Sequence, residues 1–244
     1  MAQSAASRAL AAEGAALASA VAGLAPGDLA LASPCPPWTT GQLLGHILIG
    51  ADRIAPALAA AARLARGAAP VTRPGLPPGA PALISPAAYY RPDHRFSAAV
   101  NSDRIDAAIA LAASLPTVPE LHAELVRRLG ESRDLLTAAP ADAVAMTRHG
   151  DLMLLADFAV TRVAELGLHG LDLAIGLNRQ PWLTGAAAAV LEDLLLPSGR
   201  AARLAERLRC NRIGLIAMLT GRASQPPAAA AEFAAAGAVR LSLG

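Results

Sequence analysis

Arg162, Glu165, His169 and Asp172 follow one another at spacings of three, four and three residues. On a helix these positions share one face. Their neighbours Val163, Ala164, Leu166, Leu168, Leu171 and Leu173 are apolar, so the segment reads as a buried helix carrying one narrow ionisable stripe. Unpaired buried charge is costly, and such a stripe calls for counter-charges or a cation. At i,i+4 the Cβ atoms of Glu165 and His169 lie roughly 5–6 Å apart, near enough for a carboxylate oxygen and an imidazole nitrogen to converge on one metal ion. A plain hydrogen-bonded pair satisfies the same spacing.

A third ligand has to come from another element. His46 stands alone among aliphatic residues in Gly41-Gln-Leu-Leu-Gly-His46-Ile-Leu-Ile-Gly50, with glycines on both sides that permit close backbone approach. The structural alternative is a satisfied core histidine. Helical bundles do bind metals through inward Glu and His side chains of facing helices, and a two-histidine, one-carboxylate set leaves positions open for water, thiolate or substrate. His94, His122 and His149 have no comparable setting and read as structural or solvent-facing. Cys35, in a proline-flanked loop with no activating partner, reads as an inert thiol.

The elements that must position these residues are helical. A first helix is expected over about 3–24, and the loop Ser33-Pro34-Cys35-Pro36-Pro37-Trp38 leads into a second over about 41–66, capped by Thr39 or Thr40 and kinked at Pro56. The Pro/Gly-rich stretch 67–92 has too many breakers for regular structure, and Tyr89, Tyr90, Arg91 and His94 at its end are placed to border a cleft, surface packing being the plainer role. Further helices are expected over 97–114, 119–138 (with Glu124 and Arg128 as an i,i+4 pair on a solvated face), 151–177, 182–196 and 200–219. The alternating tail 238–243 is too short to establish a strand and leaves one open.

Composition agrees with a mainly α fold. Hydrophobic residues make up 54% of the 244 residues and aromatics only 3%, so Ala, Leu, Ile and Val must build the core. All 21 basic residues are arginine, in keeping with codon bias, and a net charge of +2 with scattered arginines gives no footprint for nucleic acid. Two distant cysteines, Cys35 and Cys210, do not form a disulfide framework, and a reducing, cytoplasmic location is the default. The uncharged run Leu29 to Ala51 contains Pro34, Pro36 and Pro37, which argues against a membrane span.

Pro37-Trp38-Thr-Thr-Gly-Gln-Leu-Leu-Gly-His46 together with Arg162-Val-Ala-Glu165-Leu-Gly-Leu-His169-Gly-Leu-Asp172 resembles the mycothiol-dependent maleylpyruvate isomerase family, within the DinB-like group of metal-binding four-helix bundles. The resemblance implies a mainly α, DinB-like bundle over residues 1–177 and a short C-terminal helical extension over 178–244, with or without a terminal strand. It implies His46, Glu165 and His169 as ligands of one divalent metal, with zinc preferred. Mycothiol is then the implied cosubstrate, activated as thiolate for S-transfer to, or isomerisation of, a small electrophile. Asp172 and Arg162 become candidate supporting catalytic residues, and Tyr89 a candidate contact for the thiol. Leu219-Thr220-Gly221-Arg222 resembles an element near the end of such proteins, where Arg222 would meet an anionic substrate or the thiol; a helix end with arginine offsetting the dipole accounts for the same residues. Metal-dependent hydrolysis and a non-catalytic metal-binding accessory role are the alternatives. A monomer or homodimer is expected, without nucleic-acid or membrane partners.

Overall fold

The computed structural model describes residues 4–66, 82–91 and 98–242. His94 and most of the stretch 67–92 lie outside them. The chain folds as a helical bundle in which α1 (Ala5–Ala22), α2 (Thr40–Ala51), α6 (Val118–Ala138) and α7 (Leu155–Gly176) pack on one another, α3 (Ile54–Arg66) lies against α6, the single turn α4 (Pro86–Tyr89) against α7, and α5 (Ala98–Ser114) against α2. The inward positions of α1, Ala6, Leu10, Glu13, Leu17 and Val21, recur every three or four residues, and α7 is buried around almost its whole circumference.

Local signals explain the boundaries. Thr39 and Gln42 form a capping box at the start of α2, with Gln42 N–H donating to Thr39 Oγ1 at 3.3 Å and Thr39 N–H to Gln42 Oε1 at 3.0 Å. Thr117 and Glu120 do the same for α6. The expected single helix over 41–66 is two helices, broken at Asp52–Arg53. Pro56 falls in the first turn of α3, where its missing N–H is not needed, so the proline kinks nothing. The stretch Thr40–Arg66 is apolar and long enough to cross a bilayer, but this break divides it, and 56% of its apolar window is buried inside the bundle.

The expected helix over 151–177 begins later. Val144–Met146 (β1) and Leu152–Leu154 (β2) pair antiparallel, with Ala145 opposite Met153, around a turn in which Gly150 adopts φ +86°. A short apolar run such as Leu152-Met-Leu suits a strand or a buried helix equally, and only its partner strand decides. The expected helix over 200–219 is also two, α9 (Ala201–Arg207) and α10 (Arg212–Leu219). The chain turns at Arg209 with φ +53°, and Asn211 Oδ1 accepts the Gly214 N–H at 2.7 Å to start α10.

Beyond α7, Thr184 caps α8 (Gly185–Leu195), which packs on α1 and α7; α9 and α10 follow, and α11 (Ala229–Ala236) closes the described chain against α9. The tail after α11 forms no strand among the described residues. It is tied down instead by Val239 N–H to Leu195 O at 2.9 Å and Ser242 N–H to Tyr90 O at 2.8 Å. The Glu124–Arg128 pair forms as expected, but its face is not simply solvated: Arg128 also donates to Leu48 O at 3.1 Å across the α6–α2 contact.

Candidate metal centre

Three side chains from two helices meet in the bundle. His46 Nε2 on α2 and His169 Nε2 on α7 each lie 3.6 Å from Glu165 Oε2, and the three donor atoms fall within 4.8 Å of one another. The sequence feature that lets α2 in so close is Gly45. A Cβ there would sit 2.4 Å from Ala108 O, so α5 packs against α2 at the residue next to His46. The two imidazole rings meet edge to face with centroids 4.9 Å apart, and Trp38 from the proline-rich loop stacks on His46 at 4.6 Å.

This geometry fits a cation better than direct hydrogen bonding. Separations of 3.6 Å are long for hydrogen bonds. Two metal–ligand bonds of about 2.1 Å meeting at a tetrahedral angle put their donor atoms about 3.4 Å apart. His46 Nδ1 is buried without a partner among the described residues, so the ring depends on its Nε2 side for satisfaction. Burial drives the His46 pKa down to about 4, against the opposing pull of Glu165, which leaves the neutral form a metal requires.

Glu165 and His169 are oriented from behind. The Tyr90 O–H is shared between Thr161 O at 2.9 Å and Glu165 Oε1 at 3.4 Å, and Arg162 Nη2 stands 3.8 Å from the same oxygen. Oε1 thus faces the phenol and the guanidinium, and Oε2 faces the histidines. Burial pushes the Glu165 carboxyl up, but the nearby His46, Arg162 and His169 outweigh it and hold the group well below the usual carboxylate range. On the other ligand, His169 Nδ1 lies 2.9 Å from Asp172 Oδ2. Burial raises the Asp172 pKa, yet His169 and Arg222 bring it down to about 2, so Asp172 is a carboxylate and accepts the Nδ1 proton. That tautomer aims the Nε2 lone pair at the site.

Arg222 holds Asp172 in turn, with Nε 2.8 Å from Oδ1 and Nη2 2.9 Å from Oδ2, a two-pronged pair from just beyond the end of α10. Arg162 and Asp172 share the helix face as expected but part company: Arg162 serves Glu165, and Asp172 belongs to Arg222. Cys35 with His169 and Asp172 is a second group of donors within 4.8 Å. Its Asp172 oxygens are already engaged by Arg222 and His169, so it reads as a hydrogen-bonded set. Burial first, then Asp172, raise the Cys35 thiol to about 12, which keeps it protonated and inert as a nucleophile.

The donors line a cavity of about 410 Å³, with Trp38, Ile49, Tyr89, Ile105, Phe158 and Arg162 among its other walls. Tyr89 reaches it, and its hydroxyl oxygen accepts from the Arg162 guanidinium, which favours the Arg162 charge against burial. Asp172 and Arg222 are not among the lining residues and stand behind His169. Neither is His122, while His149 lies beside Tyr89, ring centroids 5.9 Å apart. Sequence reasoning missed Arg53, Arg104 and Arg148 in the cavity wall and the part Tyr90 plays on Glu165. Nothing in local spacing marks these residues, because the fold brings them in from separate elements.

The fold and site together define a helical bundle in which three potential metal donors from two helices face one cavity. Residues 10–174 match the family model described as mycothiol maleylpyruvate isomerase N-terminal domain, and the chain belongs to this family. No curated protein and no solved structure matches the chain.

Proposed function

We propose that the protein is a metal-dependent enzyme that uses a low-molecular-weight thiol, mycothiol, as cosubstrate for S-transfer to, or isomerisation of, a small electrophile. The observation that carries this reading is the convergence of His46 Nε2 and His169 Nε2 on Glu165 Oε2 in the wall of a cavity, in a chain of the mycothiol maleylpyruvate isomerase family. A divalent cation held by these three donors, with zinc preferred for an imidazole and carboxylate set, would lower the pKa of a thiol and supply thiolate at neutral pH.

The remaining work falls to the chain's own residues. Asp172 fixes the His169 tautomer, and Arg222 fixes Asp172. Tyr90 and Arg162 fix the orientation of Glu165, while Trp38 covers the His46 ring. The cavity of about 410 Å³ leaves room for a thiol and a small substrate side by side, against a wall that is partly aromatic and aliphatic. A reducing cytoplasm, where such thiols and the free Cys35 and Cys210 persist, is the setting this reading calls for.

Elemental analysis of the purified chain beside His46→Ala, Glu165→Ala and His169→Ala tests the ligands: one metal per wild-type chain and loss in each variant is expected. Full retention in all three would overturn the site. Disappearance of thiol on incubation with mycothiol and a panel of electrophiles tests the reaction, and ester or amide cleavage without thiol consumption would replace it with hydrolysis.

A further inference from the structure

The cavity wall is built from two kinds of segment. His46, Ile49, Phe158 and Glu165 stand on helices, and the loop that carries Cys35 and Trp38 is stapled to itself, with Ser33 N–H donating to Trp38 O at 3.0 Å, Trp38 N–H to Cys35 O at 3.1 Å and Cys35 N–H to Ser33 Oγ at 3.2 Å. Ser242 lines the same cavity from the chain after α11, which is neither helix nor strand.

That segment is lightly fastened. Gly237, at φ +71°, turns it out of α11, and Val239 N–H to Leu195 O at 2.9 Å fixes its start on the end of α8. Arg240 and Leu241 make no backbone hydrogen bond among the described residues, and the next is Ser242 N–H to Tyr90 O at 2.8 Å. Ala238 and Leu241 pack on the core, while Val239 is 41% exposed and Arg240 is exposed too. Ordinary surface packing accounts for the Val239 end. It does not account for Ser242, whose acceptor is the carbonyl of a buried residue whose phenol lies 3.4 Å from Glu165 Oε1. A segment with few buried apolar contacts and one hydrogen bond at its far end opens at low cost, whereas the helical walls open only with the bundle.

We propose that residues 238–242 are a strap over the cavity, hinged at Gly237 and Val239 and latched by the Ser242 N–H on Tyr90 O, and that its release admits the small molecules that react there. Closed, the strap completes the wall beside the residue that faces Glu165. Open, it gives a path from solvent without moving any helix of the bundle. The latch is a backbone group, so the Ser242 side chain can change without unfastening it. The inference takes the cavity as the working site, as the thiol-transfer reading does, and holds with or without a metal.

Cys35 is a built-in reporter of access, because it lines the cavity while Cys210 lies in the turn between α9 and α10 and does not. Alkylation of the purified chain by iodoacetamide, followed at each cysteine by peptide mass spectrometry, is the test. Ser242→Pro removes the latching N–H and should raise the Cys35 rate about two- to tenfold, the size of one net hydrogen bond, with Cys210 unchanged. Ser242→Ala keeps the N–H and should label at the wild-type rate. Unchanged Cys35 labelling in Ser242→Pro, the same acceleration in Ser242→Ala, or equal acceleration at Cys210 would overturn the proposal, the last by showing a generally loosened fold. Metal content is measured on the same samples. Latch-dependent labelling in a chain without metal sinks the metal reading and leaves this one standing, and a metal-loaded chain whose Cys35 rate ignores the latch does the reverse.

Discussion

Asp172→Asn is the substitution that most directly tests how the metal centre is held. The native carboxylate accepts His169 Nδ1 at 2.9 Å and Arg222 Nη2 at 2.9 Å, and Arg222 Nε adds an ion-pair contact at 2.8 Å. Asparagine keeps the shape but offers one acceptor oxygen and adds an NH2 that faces donors, so either His169 or Arg222 loses its partner. Loss of the partner behind a metal-binding histidine typically weakens metal affinity 10- to 100-fold, about 1.4–2.7 kcal/mol. A second effect is expected on stability, because the Arg222 side chain is only 6% exposed and would lose the charge of Asp172 beside it. Breaking a buried pair by removing one member costs about 3–5 kcal/mol, and removing both costs less. The two effects separate in the double variant Asp172→Asn/Arg222→Gln. It should regain part of the lost denaturation midpoint yet keep the weakened metal affinity. Affinity is read by competition with a chromogenic chelator, and stability by urea unfolding of the metal-free protein. Wild-type metal affinity in Asp172→Asn would refute the reasoning, since the His169 tautomer would then not depend on the carboxylate.

Two further outcomes follow from the bundle itself. Glu13 is 0% exposed, and its Oε2 accepts the Thr184 N–H at 2.8 Å, so a buried carboxyl on α1 anchors the start of α8. Burial raises its pKa, the Thr184 hydrogen bonds only partly opposing it. The folded state therefore favours the protonated form, and this group's contribution to stability falls as pH rises from the ordinary glutamate value through the raised one, then stays level. Urea unfolding of wild type and Glu13→Gln between about pH 4.5 and pH 8 should show that decline shrink in the variant; equal slopes would refute it. Gly45→Ala places a methyl 2.4 Å from Ala108 O, a backbone atom that cannot step aside without moving α5. A loss of about 1–3 kcal/mol in thermal or urea unfolding, together with weaker metal binding through the displaced His46, is expected.

Much of the candidate site was legible in the sequence because helical geometry is local. Arg162, Glu165, His169 and Asp172 fall on one face of any α-helix that includes them, whatever surrounds it, and apolar flanks announce that the helix is buried. Gly45 beside His46 likewise signalled close backbone approach, and α5 makes that approach. Helix ends were legible where capping residues stood, as at Thr39-Thr40, of which Thr39 caps α2. They were missed where two outcomes share one local pattern: Leu152-Met-Leu pairs with β1, and Asn211 starts a new helix where the periodicity ran on.

By itself the sequence determined the candidate donor types, the face that carries two of them and the helical character of the scaffold, all of which depend on neighbours within a turn or two. Only the tertiary structure decided the pairings. Arg162 goes to Glu165 while Asp172 is claimed by Arg222 from fifty residues away in the C-terminal extension, and Tyr90 reaches Glu165 across seventy-five. It also collected Arg53, Arg104 and Arg148 around one cavity. Which charge neutralises which is set by distances of a few ångströms between elements, and in a chain whose charges are nearly all arginine, aspartate and glutamate, residue type cannot choose among equivalent partners.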